Sequence, residues 1–120
     1  MTQIDPANFR IALEKNANKA EWMHERVIKS IIEFEEKLDP SQELGARLVN
    51  FSAEETISIE DVGYWGPDII KFYGRNSKGD PVELIQHMSQ LSVLLVAVQV
   101  EKGSAKRIGF TLSRYLDSSD

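Results

Sequence analysis

The sequence predicts an α+β fold in which N-terminal helices pack on a mainly antiparallel β-sheet of about five strands. Residues 19–38 place apolar side chains three or four positions apart, which is the period of a helix, and residues 46–112 carry short apolar segments separated by turn-forming residues. The chain has 120 residues and no cysteine, so it is long enough to bury a core without disulfides. We therefore expect a single domain over residues 1–120.

A short first helix is predicted over residues 6–15. Asp5 suits the N-cap and Pro6 the first helical position, and Phe9 and Leu13 fall on one face. The polar residues that follow interrupt this pattern and separate the helix from the next one.

A longer helix is predicted over residues 19–38. Asn18 and Glu21 have the spacing of a capping box, in which each side chain accepts a hydrogen bond from the other residue's backbone N–H. Pro40 marks the end, because the residue before a proline is disfavoured in the helical conformation. The predicted core-facing residues are Ala20, Met23, Val27, Ile31, Phe34 and Leu38, with Ile28 and Ile32 beside them.

The sheet is predicted as a meander over residues 46–112. Its candidate strands are 46–51, 56–62, 69–74, 82–87, 92–100 and 107–112. The first two are expected to pair as a hairpin, and a turn at 76–80 joins the third to the fourth. Residues 81–91 also have helical spacing, so a helix there is an alternative. Strands are preferred because short turns between apolar segments favour antiparallel pairing.

The segment 60–68 is predicted to form a sharp corner between two strands. Gly63 and Gly66 can take positive φ, and Pro67 fixes its own φ and restricts the residue before it. Such a corner would hold its side chains in defined directions.

Tyr64 and Trp65, inside this corner, are the first candidate site residues. An aromatic pair can stack on a base or another planar ligand, and Asp61 or Asp68 can accept hydrogen bonds from it. The alternative is that Trp65 closes one end of the core and the glycines only permit the turn.

Arg75 and Arg107 are candidate charge partners for an anionic ligand. A guanidinium group can hold two phosphate oxygens at once. The neighbouring cations are Lys71, Lys78, Lys102, Lys106 and Arg114. Scattered surface cations are the alternative interpretation.

His87 and Gln90 lie in a polar insertion between apolar segments. The side-chain amide of Gln90 can form hydrogen bonds with the edge of a ligand or with the backbone of a loop. His87 could act as the base for Ser89 or Ser92, but no G-x-S-x-G motif or third orienting residue is recognisable. We therefore assign no catalytic residue and expect a binding protein rather than an enzyme.

Composition argues against several function classes. The net charge of −5 disfavours duplex nucleic acid as a partner. Leu91–Val100, the longest apolar stretch, is about half the length of a membrane span, so no membrane association is expected. Metal-ligand spacing and nucleotide-binding glycine motifs are not found, so no metal and no cofactor are expected. The N-terminus lacks a secretory signal pattern and the chain lacks cysteine, which together predict a cytoplasmic location.

The segment Val93–Val98 is apolar on both faces of a strand. Such a strand is either covered on both sides or part of an oligomer interface. One layer of helices does not cover both faces in a domain of this size, so we expect a homodimer.

Four blocks of the sequence carry a resemblance to other proteins. They are Val62–Asp68, Phe72–Gly74, Leu84–His87 with Gln90–Ser92, and Arg107–Phe110. Over roughly residues 20–112 these blocks resemble a family of short bacterial and phage-associated proteins of unknown function. The resemblance implies that the blocks act together and implies a phage or phage-defence setting, but it implies no activity or catalytic residue.

The leading hypothesis is a non-enzymatic protein that sequesters or senses a small anionic, nucleotide-like ligand beside Tyr64 and Trp65, with Arg75 and Arg107 as charge partners. The second is a protein-interaction module that uses the apolar strand and the aromatic corner. The third is a small hydrolase built on Asp61, Asp68 or His87.

Overall fold

A computed structural model of the chain describes residues 19–48, 55–101 and 103–117. Its elements, in chain order, are α1 (Lys19–Glu36), β1 (Gln42–Leu48), β2 (Ser58–Trp65), β3 (Ile69–Arg75), β4 (Pro81–His87), a 3₁₀ turn (Met88–Gln90), β5 (Val93–Gln99), α2 (Gly109–Leu112) and α3 (Arg114–Asp117). The predicted α+β class is confirmed, since α1 packs on antiparallel sheets. The predicted helix at 6–15 lies outside the described residues.

The strands form two sheets, one of order β2-β3-β4 and one of β1 with β5, and every pairing is antiparallel. The turn before β4 is closed by Asn76, whose Oδ1 accepts from the backbone N–H groups of Lys78 and Asp80, both at 3.0 Å. Gly79 has a φ of 83°, which other residues rarely adopt. The strand interpretation of residues 81–91 is thereby confirmed as far as His87.

The predicted hairpin between the first two strands is reduced to a single bridge. Ala46 and Ile57 exchange backbone hydrogen bonds of 2.8 and 2.9 Å. Along its whole length β1 pairs instead with β5, through seven consecutive residue pairs. Periodicity identifies strands but not their partners, and here a strand distant in sequence supplied the longer regular pairing.

The predicted strand at 107–112 is wrong, because these residues turn into α2. The backbone N–H groups of Ile108 and Gly109 donate to the carboxylate of Glu35, at 3.0 and 2.7 Å, instead of to a neighbouring strand. Because the Glu35 side chain binds these two backbone donors, residues 107–112 do not add a strand, and β5 is the last strand of the described residues.

The core lies between α1 and the two sheets. Its largest fully buried side chains are Ile28, Ile31, Val62, Ile70 and Leu112. The buried stripe of α1 runs through Ala20, His24, Ile28, Ile31 and Glu35, so it is rotated from the predicted one and includes two polar residues.

The corner after β2 differs from the prediction in its backbone. Gly63 lies inside β2, opposite Lys71, and the turn itself comprises residues 66–68. Among the described residues, positive φ occurs at Gly79 and Gly103, so the expectation for Gly63 and Gly66 is wrong. The Gly66–Pro67 peptide bond is cis.

Candidate functional site

Tyr64 and Trp65 do not form one platform, because neighbours along a strand point to opposite faces. Tyr64 faces α1, where its ring centroid lies 4.9 Å from that of His24, and it is 38% exposed. Trp65 faces the opposite side of the sheet and is 70% exposed. The indole ring is therefore the part of the aromatic corner that is available to a partner.

Trp65 belongs to an apolar surface on the side of the β2-β3-β4 sheet that faces away from α1. Across the strands, Trp65 pairs with Ile69 and Ile69 with His87; in the next row, Lys71 pairs with Ile85. Ile85 is 57% exposed. We call this surface, formed by Trp65, Ile69, Lys71, Ile85 and His87, the Trp65 face.

Lys71 is the cation of the Trp65 face. Its Nζ lies 5.9 Å from the centroid of the Trp65 ring and forms an ion pair of 3.1 Å with Glu83. The hydrogen bond to Glu83 raises the pKa of Lys71, against the opposing effect of burial. The face therefore presents a charge pair next to its exposed ring.

Asp68 and His87 close one end of the Trp65 face. The His87 Nε2 lies 3.0 Å from Asp68 Oδ2, and its Nδ1 accepts from the backbone N–H and the hydroxyl of Ser89, at 3.2 and 2.8 Å. Because Nδ1 accepts, Nε2 is the nitrogen that donates to Asp68. The order Asp68, His87, Ser89 resembles a catalytic triad, but the nitrogen needed as base already caps the 3₁₀ turn.

Two backbone hydrogen bonds fix the corner itself. The N–H of Ala20, in the first turn of α1, donates to the carbonyl of Pro67 at 2.8 Å. The N–H of Met88 donates to the carbonyl of Asp68, also at 2.8 Å. The turn is held from both sides, which keeps the end of β2 in place behind the indole ring.

Asp61 belongs to a different cluster, in which its partner is Tyr115 of α3. A β-bulge between Ile59 and Asp61 leaves Glu60 as the extra residue, and the two acidic side chains have separate partners. Asp61 accepts from the hydroxyl of Tyr115, at 3.0 and 3.2 Å, while Glu60 pairs with Arg75 at 3.3 Å. They do not share a ligand-binding position.

Tyr115 and Tyr64 both contact the buried His24, each with a centroid distance of 4.9 Å. The Nε2–H of His24 donates to the carbonyl of Val62 at 2.7 Å. Burial is the main cause that raises the pKa of both tyrosines, aided by Asp61 for Tyr115 and by Glu21 for Tyr64. These contacts attach α3 to α1 and β2.

Arg75 and Arg107 lie away from the Trp65 face. Arg75 is six residues from Ile69 along β3, which corresponds to about 20 Å of extended strand. Arg107 donates to the backbone carbonyls of Gln42 and Asp39, at 2.6 and 3.1 Å, beyond the C-terminal end of α1. The structure thus does not bring these guanidinium groups together with the aromatic rings.

Gln90 is exposed in the 3₁₀ turn. Its neighbour Gln86 points to the helix side of β4, and its Oε1 is the buried side-chain oxygen that lacks a hydrogen-bond partner among the described residues. The polar insertion is therefore divided between the two sides of the sheet.

Three cavities lie elsewhere, with volumes of about 250, 400 and 120 Å³. The first is an apolar groove between α1 and β5, lined by Met23, Val27, Leu91 and Leu95 among others. The second contains Arg107 and Lys106 but also three glutamates, and the third lies between the two sheets. Neither Tyr64 nor Trp65 lines any of the three.

Sequence reasoning missed Ile85, His24 and Glu35. Ile85 was assigned to a strand, and its position opposite Lys71 follows only from the pairing of β3 with β4. The burial of His24 and Glu35 could have been found from the sequence, because both lie three or four positions from buried residues of the same helix. Those residues are Ala20, Ile28 and Ile31. A pattern restricted to apolar residues does not detect it.

Within residues 19–48, 55–101 and 103–117, no group of three or more His, Asp or Glu side chains is arranged to hold a metal ion. In the same part of the chain, no helix combines the length and the apolar character needed to cross a membrane.

No curated protein and no solved structure is significantly similar to the chain. The profile of a family of unknown function, DUF6173, matches residues 12–111, which include every described strand and α1. The chain therefore belongs to DUF6173, a family of unknown function.

Proposed function

We propose that the chain is a non-enzymatic binding protein whose Trp65 face holds a partner protein. The observation that carries the proposal is the 70% exposure of the Trp65 side chain beside Ile85, which is 57% exposed, on a sheet surface that α1 does not cover. Exposed tryptophan beside aliphatic side chains is typical of the centre of protein interfaces.

The shape of the surface favours a protein over a small molecule. Small-molecule sites are concave and enclose most of the ligand. Trp65 stands on a strand and lines none of the three cavities described above. A partner that offers its own pocket for the indole ring fits this geometry better than a ligand that requires one here.

The charged and polar groups near Trp65 indicate which kind of partner surface would be complementary. Lys71 and Glu83 form an ion pair beside the ring, and at the end of the face the carboxylate of Asp68 accepts a hydrogen bond from His87. Both signs are present, so the favoured partner is an apolar protein surface with a mixed polar rim.

A planar anionic ligand, such as a nucleotide signal of phage defence, is the second candidate. The position of the Lys71 Nζ, 5.9 Å from the Trp65 ring, favours it, since the ring can stack on a base while the ammonium group binds a phosphate. The distant Arg75 and Arg107 do not contribute to this arrangement.

The test uses affinity isolation from the native cells with the wild-type protein and with Trp65→Ala, followed by titration calorimetry with the purified partner. We expect at least about tenfold weaker binding for Trp65→Ala and for Ile85→Asp. Trp22→Ala is the matched control, because Trp22 is the chain's other tryptophan, stacks under Arg26 and lies on α1.

Wild-type affinity in both Trp65→Ala and Ile85→Asp would contradict the proposal. Calorimetry of the protein alone with cyclic and linear nucleotides separates the two candidates. Heat that disappears in Trp65→Ala, without any partner protein, would support the second candidate instead.

A further inference from the structure

We infer that the open edge of β5 pairs with β5 of a second copy of the chain, in an antiparallel arrangement around a two-fold axis at Val96. This surface lies on the other sheet from the Trp65 face and does not depend on the function proposed above.

The direction of the backbone groups identifies the open edge. The N–H of Val100 donates to the carbonyl of Ser41 at 2.8 Å, so the even-numbered residues of β5 direct their N–H and C=O groups toward β1. The odd-numbered residues, Val93, Leu95, Ala97 and Gln99, direct theirs to the opposite side. No described strand lies there. Backbone groups in this position normally pair with another strand or with water.

The edge lacks the features that keep isolated edges apart. Edge strands of monomeric proteins usually carry a charged residue, a proline or a bulge. The strand Val93–Gln99 has the sequence VLLVAVQ, which contains no charge and no proline, and its seven pairs with β1 run without a shift of register. It is therefore flat enough and apolar enough to accept a further strand.

The side chains of β5 are apolar on the face away from α1 as well. Val93 and Leu95 line the groove beside α1, so Leu94, Val96 and Val98 lie on the opposite face. Leu94 is 51% exposed. Pairing with a second copy would double this apolar surface and place the Val96 side chains of the two copies next to each other.

The charges that flank this face favour the antiparallel arrangement. Arg47 pairs with Leu94 and Glu43 pairs with Val98 on the β1 strand of the same sheet. A two-fold axis at Val96 places Leu94 opposite Val98 of the second copy. The two rows that pass through Leu94 and Val98 then each have Arg47 of one copy at one end and Glu43 of the other copy at the other end. A parallel arrangement with identical residues opposite each other would place like charges in the same row.

The experiment measures molar mass by light scattering and sedimentation over a concentration series of the full chain, from about 5 to about 500 μM. The variants are Leu94→Glu, which is adjacent to Arg47, and Val98→Lys, which is adjacent to Glu43, so each new charge has an opposite charge in its own chain. Ile85→Glu is the control, an exposed aliphatic residue on the other sheet.

We expect a wild-type dimer, a dissociation constant at least about tenfold higher in each single variant, and a dimer again in the double variant Leu94→Glu/Val98→Lys, since residue 94 then faces a lysine of the second copy. Ile85→Glu should dimerise like the wild type. Hydrogen exchange should show that the amides of Leu95 and Ala97 are protected in the dimer and exchange rapidly in the single variants.

A wild-type monomer throughout the concentration series would overturn the proposal. So would a dimer that neither single variant weakens. Protected Leu95 and Ala97 amides in a monomer would also overturn it, and would assign the edge to another part of the same chain.

Discussion

The carboxylate of Glu35 accepts hydrogen bonds from the backbone N–H of Gly109, at 2.7 Å, and from that of Ile108, at 3.0 Å, while Glu35 itself is only 7% exposed. Two residues 74 positions apart are thereby joined at the point where the chain leaves the sheet and enters α2. Buried carboxylates are stable when backbone donors replace the water they lose. The pair attaches the C-terminal helices to α1.

Glu35→Gln should lower the free energy of unfolding by about 1–3 kcal/mol, because the amide has one acceptor oxygen and would direct its NH₂ group at one of the two backbone donors. Urea denaturation measures the loss. Glu36→Gln, an exposed neighbour on the same helix, is the control and should change stability by less than about 0.5 kcal/mol. Equal effects of the two substitutions would contradict this role of Glu35.

Gly109→Ala should destabilise the protein by about 1–3 kcal/mol. A Cβ atom at this position would lie 2.7 Å from Glu35 Oε1 and 3.3 Å from Ile32 Cγ1, so the carboxylate would have to move away from its donors. Thr111→Ala, an exposed position in the same helix, is the control. The double variant with Glu35→Gln should lose less than the sum of the single variants, since both substitutions disturb the same contact.

Trp65→Ala should leave the fold intact, with a loss of about 1 kcal/mol or less, because the ring is largely exposed and its contact with Lys71 is at the long end for a cation–π pair. Ile70→Ala, on the adjacent strand but fully buried, should cost about 2–5 kcal/mol. Thermal unfolding of both variants gives the comparison. A loss for Trp65→Ala as large as that for Ile70→Ala would show that the indole ring is a core residue.

Stability should fall at alkaline pH through Tyr115. Burial and the hydrogen bond to Asp61 raise the pKa of its hydroxyl above the ordinary value of about 10. The neutral hydroxyl is therefore favoured in the folded state, so its contribution is complete below pH about 10 and is lost as the pH rises through the folded-state pKa. Asp61→Asn should move the phenolate absorbance transition to lower pH. An unchanged transition would refute the contribution of Asp61.

Much of the fold can be predicted from the sequence. The period of apolar residues locates α1 to within two residues of its end, and the turn residues around Gly79 locate the β3–β4 hairpin. The exposed indole ring of Trp65 lies in the segment that the glycines and the proline single out. These features depend on local conformational preferences, which short stretches of sequence determine without contacts to distant residues.

The sequence alone thus determined the class of fold, the positions of α1 and four of the five strands, and the segment that contains Trp65. Only the tertiary structure decided that β1 pairs with β5, that Trp65 and Tyr64 lie on opposite sides of the sheet, and that His24 and Glu35 are buried. The physical reason is that each of these features depends on partners that are distant in the chain. A polar side chain is stable inside the protein only where it forms a hydrogen bond, as His24 does with the carbonyl of Val62 and Glu35 with the N–H of Gly109.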